Sequence, residues 1–349
     1  MISLLLVNYR AAALAADAVR TARASAAAPL QIVIVDNSCD PAEAESLRGL
    51  ADTLIVSTTN RGYAGGINDG RRACEGSTIV VSNPDVTFAP HALDQLAGAL
   101  DGRTAVAGPA LFWDDAHAWR LPPADLTTTA EKLDEVLATR ARSWFEQRDR
   151  RRIRARIAFW SLDRTTEVRA LSGAVMAIRA QDFDDAGGFD ERFRLYFEEI
   201  DFLRRIAARR RRIVYVPAAR CRHLFNQSAA RDAAAASVLY VESELRYLEK
   251  WSGPFAARAL KRLERAPYVF DALPSAAPIA IPRGTAVVEV SPLPSFVTAA
   301  GHVPTSERID LPPEVWRSVG AQPLYLRLID GEQNVVNSFR LQAALESST

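Results

Sequence analysis

The chain has 349 residues, with 43 Lys and Arg against 42 Asp and Glu, so its formal charge is only +1. Near-neutrality argues against a nucleic-acid partner, while 48% hydrophobic and 24% charged content fits a folded chain of about two domains. Cys39, Cys74 and Cys221 form no CxxC pair and no apolar run approaches about 18 residues, so a disulfide framework, a structural zinc site and a membrane helix are not expected.

Residues 2–7 are a continuous apolar run, which predicts a strand covered on both faces. No basic segment precedes it, so it does not read as a signal peptide, and a cytoplasmic protein is expected. An Ala-rich helix follows over 11–27, then a buried strand over 31–35 that ends in Asp36-Asn37-Ser38. A short helix over 41–50 leads to a strand at 53–57. The stretch Asn60-Arg61-Gly62-Tyr63-Ala64-Gly65-Gly66-Ile67-Asn68-Asp69-Gly70 then runs into a helix. A fourth strand, 78–81, ends in Ser82-Asn83-Pro84-Asp85-Val86. Strands alternating with helices at this spacing predict a parallel α/β sheet. Ligands bind such sheets at the carboxyl ends of the strands. Polar residues recur there: Asn8, Asp36, Arg61 and Asp85. Each has a plain alternative. Asp36-Asn37-Ser38 also reads as a helix cap or Asx turn, and Asn83-Pro84-Asp85 as a proline turn. The glycines around Tyr63 and Asn68 read either as a flexible loop or as close approach of backbone to a ligand. The P-loop and dinucleotide fingerprints are both missing.

Residues 105–107 predict a strand and 127–160 a helical stretch. The latter carries Arg148, Arg150, Arg151, Arg152, Arg154 and Arg156. The segment Arg148–Arg156 reads as a solvated helix face, or as a peripheral contact with an anionic membrane surface or a phosphorylated acceptor. Residues 167–178 read as a turn-interrupted strand. Then comes the most unusual stretch, Gly188-Phe189-Asp190-Glu191-Arg192-Phe193-Arg194-Leu195-Tyr196-Phe197-Glu198-Glu199-Ile200-Asp201-Phe202. Acids among large apolar rings have raised pKa values, because desolvation disfavours the charge, and that prepares a general base. A helix starting near Tyr196 places Glu198 and Glu199 in its first turn, where the macrodipole also favours them as plain helix-end charges. A strand at 213–217 precedes His223, which alone reads as an ordinary structural histidine. Residues 229–265 predict a helix. After Pro267 helical periodicity is lost, and strands are predicted at 286–290, 296–298, 324–329 and 335–341, the last two joined by a hairpin at Asp330-Gly331.

Taken together, Val7-Asn8-Tyr9, Ile34-Val35-Asp36-Asn37-Ser38, Asn60 to Asn68, Asn83-Pro84-Asp85-Val86, Leu171-Ser172-Gly173-Ala174, Gly188 to Phe193, Tyr196 to Asp201 and His223 resemble the inverting family 2 glycosyltransferases, especially the rhamnosyltransferase-like branch. The resemblance covers about residues 1–250. It implies an α/β fold of GT-A type, a Rossmann-like, mostly parallel sheet flanked by helices, over residues 1–265. Within it 115–165 forms a basic helical insertion; outside the resemblance, the strands after Pro267 predict a small all-β, sandwich-like domain at 275–349.

The resemblance also implies roles. Donor-binding residues are Val7, Asn8, Tyr9, Asp36, Asn37, Arg61, Gly62, Gly65, Asn68, Asn83 and Asp85, with Asp36 accepting from the base. Asp85 and His223 are metal ligands for Mn²⁺ or Mg²⁺. Glu199 is the general base, where Asp is more usual, with Glu198 as its substitute. Gly173, Asp190 and Asp201 lie toward the acceptor. The implied partners are a UDP-, dTDP- or GDP-linked sugar and a glycan or lipid-linked acceptor, used in cell-surface polysaccharide synthesis at the inner face of the cell membrane. An oligomer is compatible with the sequence. Two other classes are also compatible: a catalytically degenerate nucleotide-sugar or glycan-binding protein, and a sugar nucleotidyltransferase. The second would carry a Gly-rich loop after its first strand, where Asn8-Tyr9-Arg10-Ala11 stands instead.

Overall fold

The computed structural model describes residues 1–224 and 233–342. In chain order the elements are β1 (Ile2–Asn8), α1 (Ala12–Ser25), β2 (Leu30–Asp36), α2 (Pro41–Leu47), β3 (Thr53–Val56), α3 (Gly62–Arg71), β4 (Thr78–Ser82), β5 (Val86–Phe88), α4 (Ala92–Gly98) and β6 (Thr104–Phe112). Then come α5 (Thr129–Ala138), α6 (Arg142–Trp160), β7 (Thr166–Glu167), β8 (Val175–Arg179), α7 (Ala180–Asp185), α8 (Glu198–Ala208), β9 (Arg212–His223), α9 (Ala233–Ser252) and α10 (Pro254–Leu263). The last are β10 (Leu273–Ser275), β11 (Ile279–Ala280), β12 (Thr285–Ser291), β13 (Ala300–His302), β14 (Arg308–Ile309), α11 (Pro313–Val319), β15 (Leu324–Asp330) and β16 (Val335–Leu341). They form two units. The first comprises Met1–Ala110, Ala124–Thr129 and Asp163–Ala259; the second comprises Leu111–Pro123, Ala130–Leu162 and Leu260–Thr349.

The first unit is built on one sheet in the order β3-β2-β1-β4-β8-β6-β9-β5, with β7 also on β9. β1, β2, β3 and β4 pair in parallel, whereas β4–β8, β6–β8, β5–β9 and β7–β9 are antiparallel. Continuous apolar runs explain the buried parallel strands: Leu4, Leu5, Leu6, Ile32, Val33 and Ile34 are inaccessible to solvent. Helix α3 begins at Gly62, earlier than a Gly-rich loop reading allows. Its glycines serve packing. A Cβ at Gly66 would meet Val7 Cγ1 at 2.9 Å, and one at Gly70 would meet Leu5 Cδ1, so the helix lies directly on β1. The helix expected over 229–265 breaks at Gly253, whose φ of +83° ends α9 before α10 begins. Residues 229–232 of that expectation lie outside the described residues.

In the second unit β10, β16, β15, β12 and β13 form a five-stranded sheet, and β11 pairs with β14 in a two-stranded ribbon. The expected hairpin joins β15 and β16: Asp330 N donates to Asn334 O at 3.0 Å. The strand expected at 296–298 is a turn with Phe296 at φ +53°, and β13 pairs with β12 instead. The basic helical segment expected as an insertion of the first domain falls, over 130–162, in this unit. Ile153 of α6 packs with Val287 and Ile329, and Arg156 donates to Glu289 at 3.3 Å. Arg327, fully buried, bridges Glu289 (2.6 Å) and Asp149 (2.8 Å). Arg148 and Arg151 pair with Asp134. Part of the segment is thus drawn into ion pairs within this unit, while Arg150, Arg151 and Arg154 stay exposed. No helix among the described residues is long and apolar enough to cross one.

Candidate active site

The carboxyl ends of β1 and β2 are in register at Asn8 and Asp36. Asp36 is fully buried and accepts from Asn8 Nδ2 (2.9 Å), Ser38 N (3.1 Å) and Ser38 Oγ (2.8 Å). Three of its roughly four acceptor sites are therefore taken within the protein. Asn37 is placed differently. Its Nδ2 donates to Gly62 O at 2.8 Å, while its Oδ1 is buried without a hydrogen-bond partner. Tyr9 is exposed just beyond β1 with Arg10 over its ring, and Val7 serves as the seat for Gly66.

β5 is three residues long and pairs with the far end of β9, Val86 opposite His223. Sequence patterns missed this strand because Pro84 and its brevity read as a turn. Its register brings the two expected metal ligands together from 138 positions apart in the chain: His223 Nε2 lies 3.4 Å from Asp85 Oδ1. Both are largely buried, Asp85 at 5% and His223 at 8% exposure. A carboxylate and an imidazole at this separation can share one divalent ion, as oxygen and nitrogen ligands suited to Mn²⁺ or Mg²⁺. Among the described residues no group of three or more His, Cys, Asp or Glu forms a metal cluster, so the remaining ligands of such an ion would come from elsewhere. Asn83, half-buried, is tied by its backbone N–H to Ala174 O at 2.9 Å.

The acid pair stands at the start of α8 on an unusual turn. Tyr196 and Phe197 both have φ of +68°, a left-handed conformation that costs a non-glycine residue roughly 1–2 kcal/mol. Two such residues in succession are held by aromatic packing: Phe197 lies 5.3 Å from Tyr240 and 5.3 Å from Tyr247, and Tyr196 lies 5.5 Å from Tyr240. The turn delivers Glu198, 5% exposed, and Glu199 into an enclosed space where Oε2 of each has no hydrogen-bond partner. Burial raises both carboxyls above the ordinary range. The charge of Glu199 pushes Glu198 further, to well above it. Backbone amides of Glu199 and Ile200 pull Glu199 part of the way back. Gly173 is placed against this base: a Cβ there would meet Glu199 Cγ at 3.0 Å and Cδ at 3.3 Å.

Tyr63 completes the cluster and was not foreseen as a site residue. Its hydroxyl is buried without a partner. Burial lifts its pKa well above the usual phenol value, and the negative charges of Glu198, Glu199 and Asp85 add to the shift. The phenol thus lies within the fields of both the acid pair and the carboxylate beside His223.

Other expected site residues are engaged within the protein. Arg61 pairs with Glu191 (2.5 Å) and Asp69 (3.2 Å), and Gly65 packs beneath the Arg61 side chain. Asn68 accepts from Phe189 N (2.9 Å) and donates to Phe189 O and Glu191, which clamps the Gly188–Glu191 turn. Asp190 binds Arg192 and Lys250, and these partners hold its carboxyl well below the usual range. Asp201, inaccessible to solvent, binds Arg205, Trp251 and Lys250. Asn68, Asp190, Glu191, Arg205 and Lys250 line a recess of about 430 Å³ on this side of the unit.

The model of the family described as "Glycosyltransferase like family 2" matches residues 1–238. N-acetylglucosaminyl-diphospho-decaprenol L-rhamnosyltransferase of Mycobacterium tuberculosis, in two strains, is 26% identical over 241 residues, which is 59% of this chain and 70% of that protein. Among solved structures, a mannosyltransferase of Pyrobaculum calidifontis in complex with GDP-Man and Mn²⁺ aligns with 75% of this chain and 74% of its own at 16% identity and a TM-score of 0.44. The S. aureus TarS structure aligns with 71% of this chain and 69% of its own at 12% identity and a TM-score of 0.41. The family match spans the whole sheet of parallel strands, the Asp85–His223 pair and the acid turn at α8. The chain belongs to the family 2 glycosyltransferases, enzymes of GT-A fold that act on nucleotide sugars.

Proposed function

We propose that this enzyme moves a hexosyl group from a nucleoside-diphosphate sugar to a hydroxyl of a glycan or lipid-linked acceptor, with inversion at the anomeric carbon, in building a cell-surface polysaccharide. The observation that carries the reading is the enclosed acid pair on its strained turn, sharing the surroundings of Tyr63 with Asp85. Glu199 takes the proton of the acceptor hydroxyl as that oxygen attacks the anomeric carbon. The bond from that carbon to the diphosphate oxygen breaks, and its electron pair leaves with the diphosphate. A base whose pKa is raised toward neutrality is matched to this task. Asp85 and His223 would hold a divalent ion, which when bound neutralises charge on the departing diphosphate. At the β2 end, exposed Tyr9 offers a stacking face for the base. The name of the M. tuberculosis relative pairs an L-rhamnosyl group with N-acetylglucosaminyl-diphospho-decaprenol, which supports a lipid-linked acceptor here.

The test is release of nucleoside diphosphate from UDP-, dTDP- and GDP-linked hexoses with Mn²⁺. Glu199→Gln should lower kcat by about 10²–10⁴-fold, the range of general-base contributions, while nucleotide binding persists. Asp85→Ala should lose metal dependence. Tight nucleotide binding without turnover under any condition would favour a non-catalytic binding protein.

A further inference from the structure

Tyr63 occupies the first turn of α3, and two backbone contacts fix that turn to the segment carrying the acids. Tyr63 N donates to Arg194 O at 2.8 Å, and a Cβ at Gly62 would meet the same oxygen at 2.5 Å. Gly62 itself has φ of +74°, so only glycine suits both the contact and the conformation. Arg194 lies two residues before Tyr196, where the left-handed pair begins. The phenol ring is thus carried on backbone docked to the strand of chain that delivers Glu198 and Glu199.

At the far end of that ring the hydroxyl is enclosed and unpaired, as are Oε2 of Glu198 and Oε2 of Glu199. Leaving a buried polar group unpaired is unfavourable, and such groups in a folded protein call for an explanation. Here the inventory is complementary: one O–H donor and two carboxyl oxygens, all buried and unpaired, are carried on two segments docked to each other through Tyr63 N and Arg194 O. Catalytic hydrogen bonds are often long before substrate is engaged and tighten in the reacting complex. Resting on the reading of Glu199 as base, we propose that Tyr63 is a positioning residue whose hydroxyl donates to Glu198, directly or through one water, and holds that carboxyl aside so that Glu199 alone faces the acceptor hydroxyl. Tyr63 acts through Glu198 and need not touch the sugar. This also gives a use for two adjacent glutamates where one base suffices: the second is the anchor by which α3 sets the orientation of the first.

The test is a double-mutant cycle of Tyr63→Phe and Glu198→Gln, read as hydrolysis of UDP-, dTDP- or GDP-linked hexose and as Mn²⁺-dependent thermal shift by the matching nucleoside diphosphate. Tyr63→Phe removes one oxygen from a buried site and leaves the packing, so folding is retained. The expected result is a loss in kcat of about tenfold, one bond's worth, with the donor KM within about twofold. In the Glu198→Gln background the further loss should shrink to less than about twofold, because the partner is already changed. Full additivity, an unchanged kcat in Tyr63→Phe, or a loss confined to KM and thermal shift would overturn the proposal. Glu199→Gln runs alongside: retained turnover there would overturn the base assignment, while the cycle still reads the Tyr63–Glu198 coupling on its own.

Discussion

Replacing Gly173 with alanine tests the placement of the base through one atom. The φ of Gly173 is not left-handed, so its backbone tolerates a side chain. The new Cβ would stand 3.0 Å from Glu199 Cγ, 3.1 Å from Cβ and 3.3 Å from Cδ. Carbon atoms pack at about 3.5–4.0 Å. All three contacts press on the same side chain, so the carboxyl has to retreat by about 0.5 Å. A misplacement of about 1 Å at a reacting group costs on the order of 100-fold, so Gly173→Ala should lower kcat by roughly tenfold. Overpacking of this kind costs about 1–3 kcal/mol of stability, which a melting curve separates from the catalytic effect. Nucleoside-diphosphate binding should be unchanged, since the contacts at β1, β2 and Asp85 are untouched. Steady-state turnover of the nucleotide sugar is the assay. A Gly173→Ala enzyme within about twofold of wild-type kcat, in a protein where Glu199→Gln is inactive, would refute the reasoning.

The acid pair has a consequence for stability. A carboxyl whose folded pKa is raised binds more protons folded than unfolded, so stability falls as pH rises from the unfolded value of about 4.3 through the folded one. Glu198→Gln should therefore raise the melting temperature at pH 7.5 and leave it nearly unchanged at about pH 3, where the carboxyl is neutral both folded and unfolded; equal shifts at both pH values would contradict the burial of this acid. In the second unit, Arg327→Met strands Asp149, 3% exposed, and leaves Glu289, 0% exposed, with Arg156 alone. Removing one partner of a buried pair costs about 3–5 kcal/mol, so denaturant unfolding of that unit should shift by that amount, and a change under about 1 kcal/mol would show that the network is not buried in solution.

Much of the chemistry was legible in the chain because it follows from local pattern. Apolar runs marked the parallel strands, and the pairing of Asp85 with His223 was anticipated from the family resemblance. What could not be read was the route by which they meet: a three-residue strand after a proline carries too little pattern to register. Charged and amide side chains were the least readable. Arg61, Asn68, Asp190 and Asp201 suit a ligand by type, yet each is engaged by a partner up to about 130 residues away, which no local window contains. The glycines of α3 read as ligand contacts because sequence does not distinguish a backbone pressed against a phosphate from one pressed against Val7 and Leu5. Likewise Arg156 looked like one of many solvated cations, although Glu289, brought in by β12, buries it. Tyr63 was passed over because the glycines around it, not its ring, drew the reading of that stretch as a loop or a ligand contact. Its unpaired hydroxyl is a property of the assembled site.

The most direct test of the account is thermal melting with Mn²⁺ and each of UDP, dTDP and GDP, in wild type, Asp85→Ala and His223→Ala. A ligand bound only to the native state at 100 times its Kd stabilises it by about 2.7 kcal/mol. One nucleotide should raise the wild-type melting temperature only with the metal present, and both substitutions should abolish the metal-dependent part. Equal shifts in wild type and Asp85→Ala, or no response to any of the three nucleotides, would contradict a diphosphate site built on Asp85 and His223.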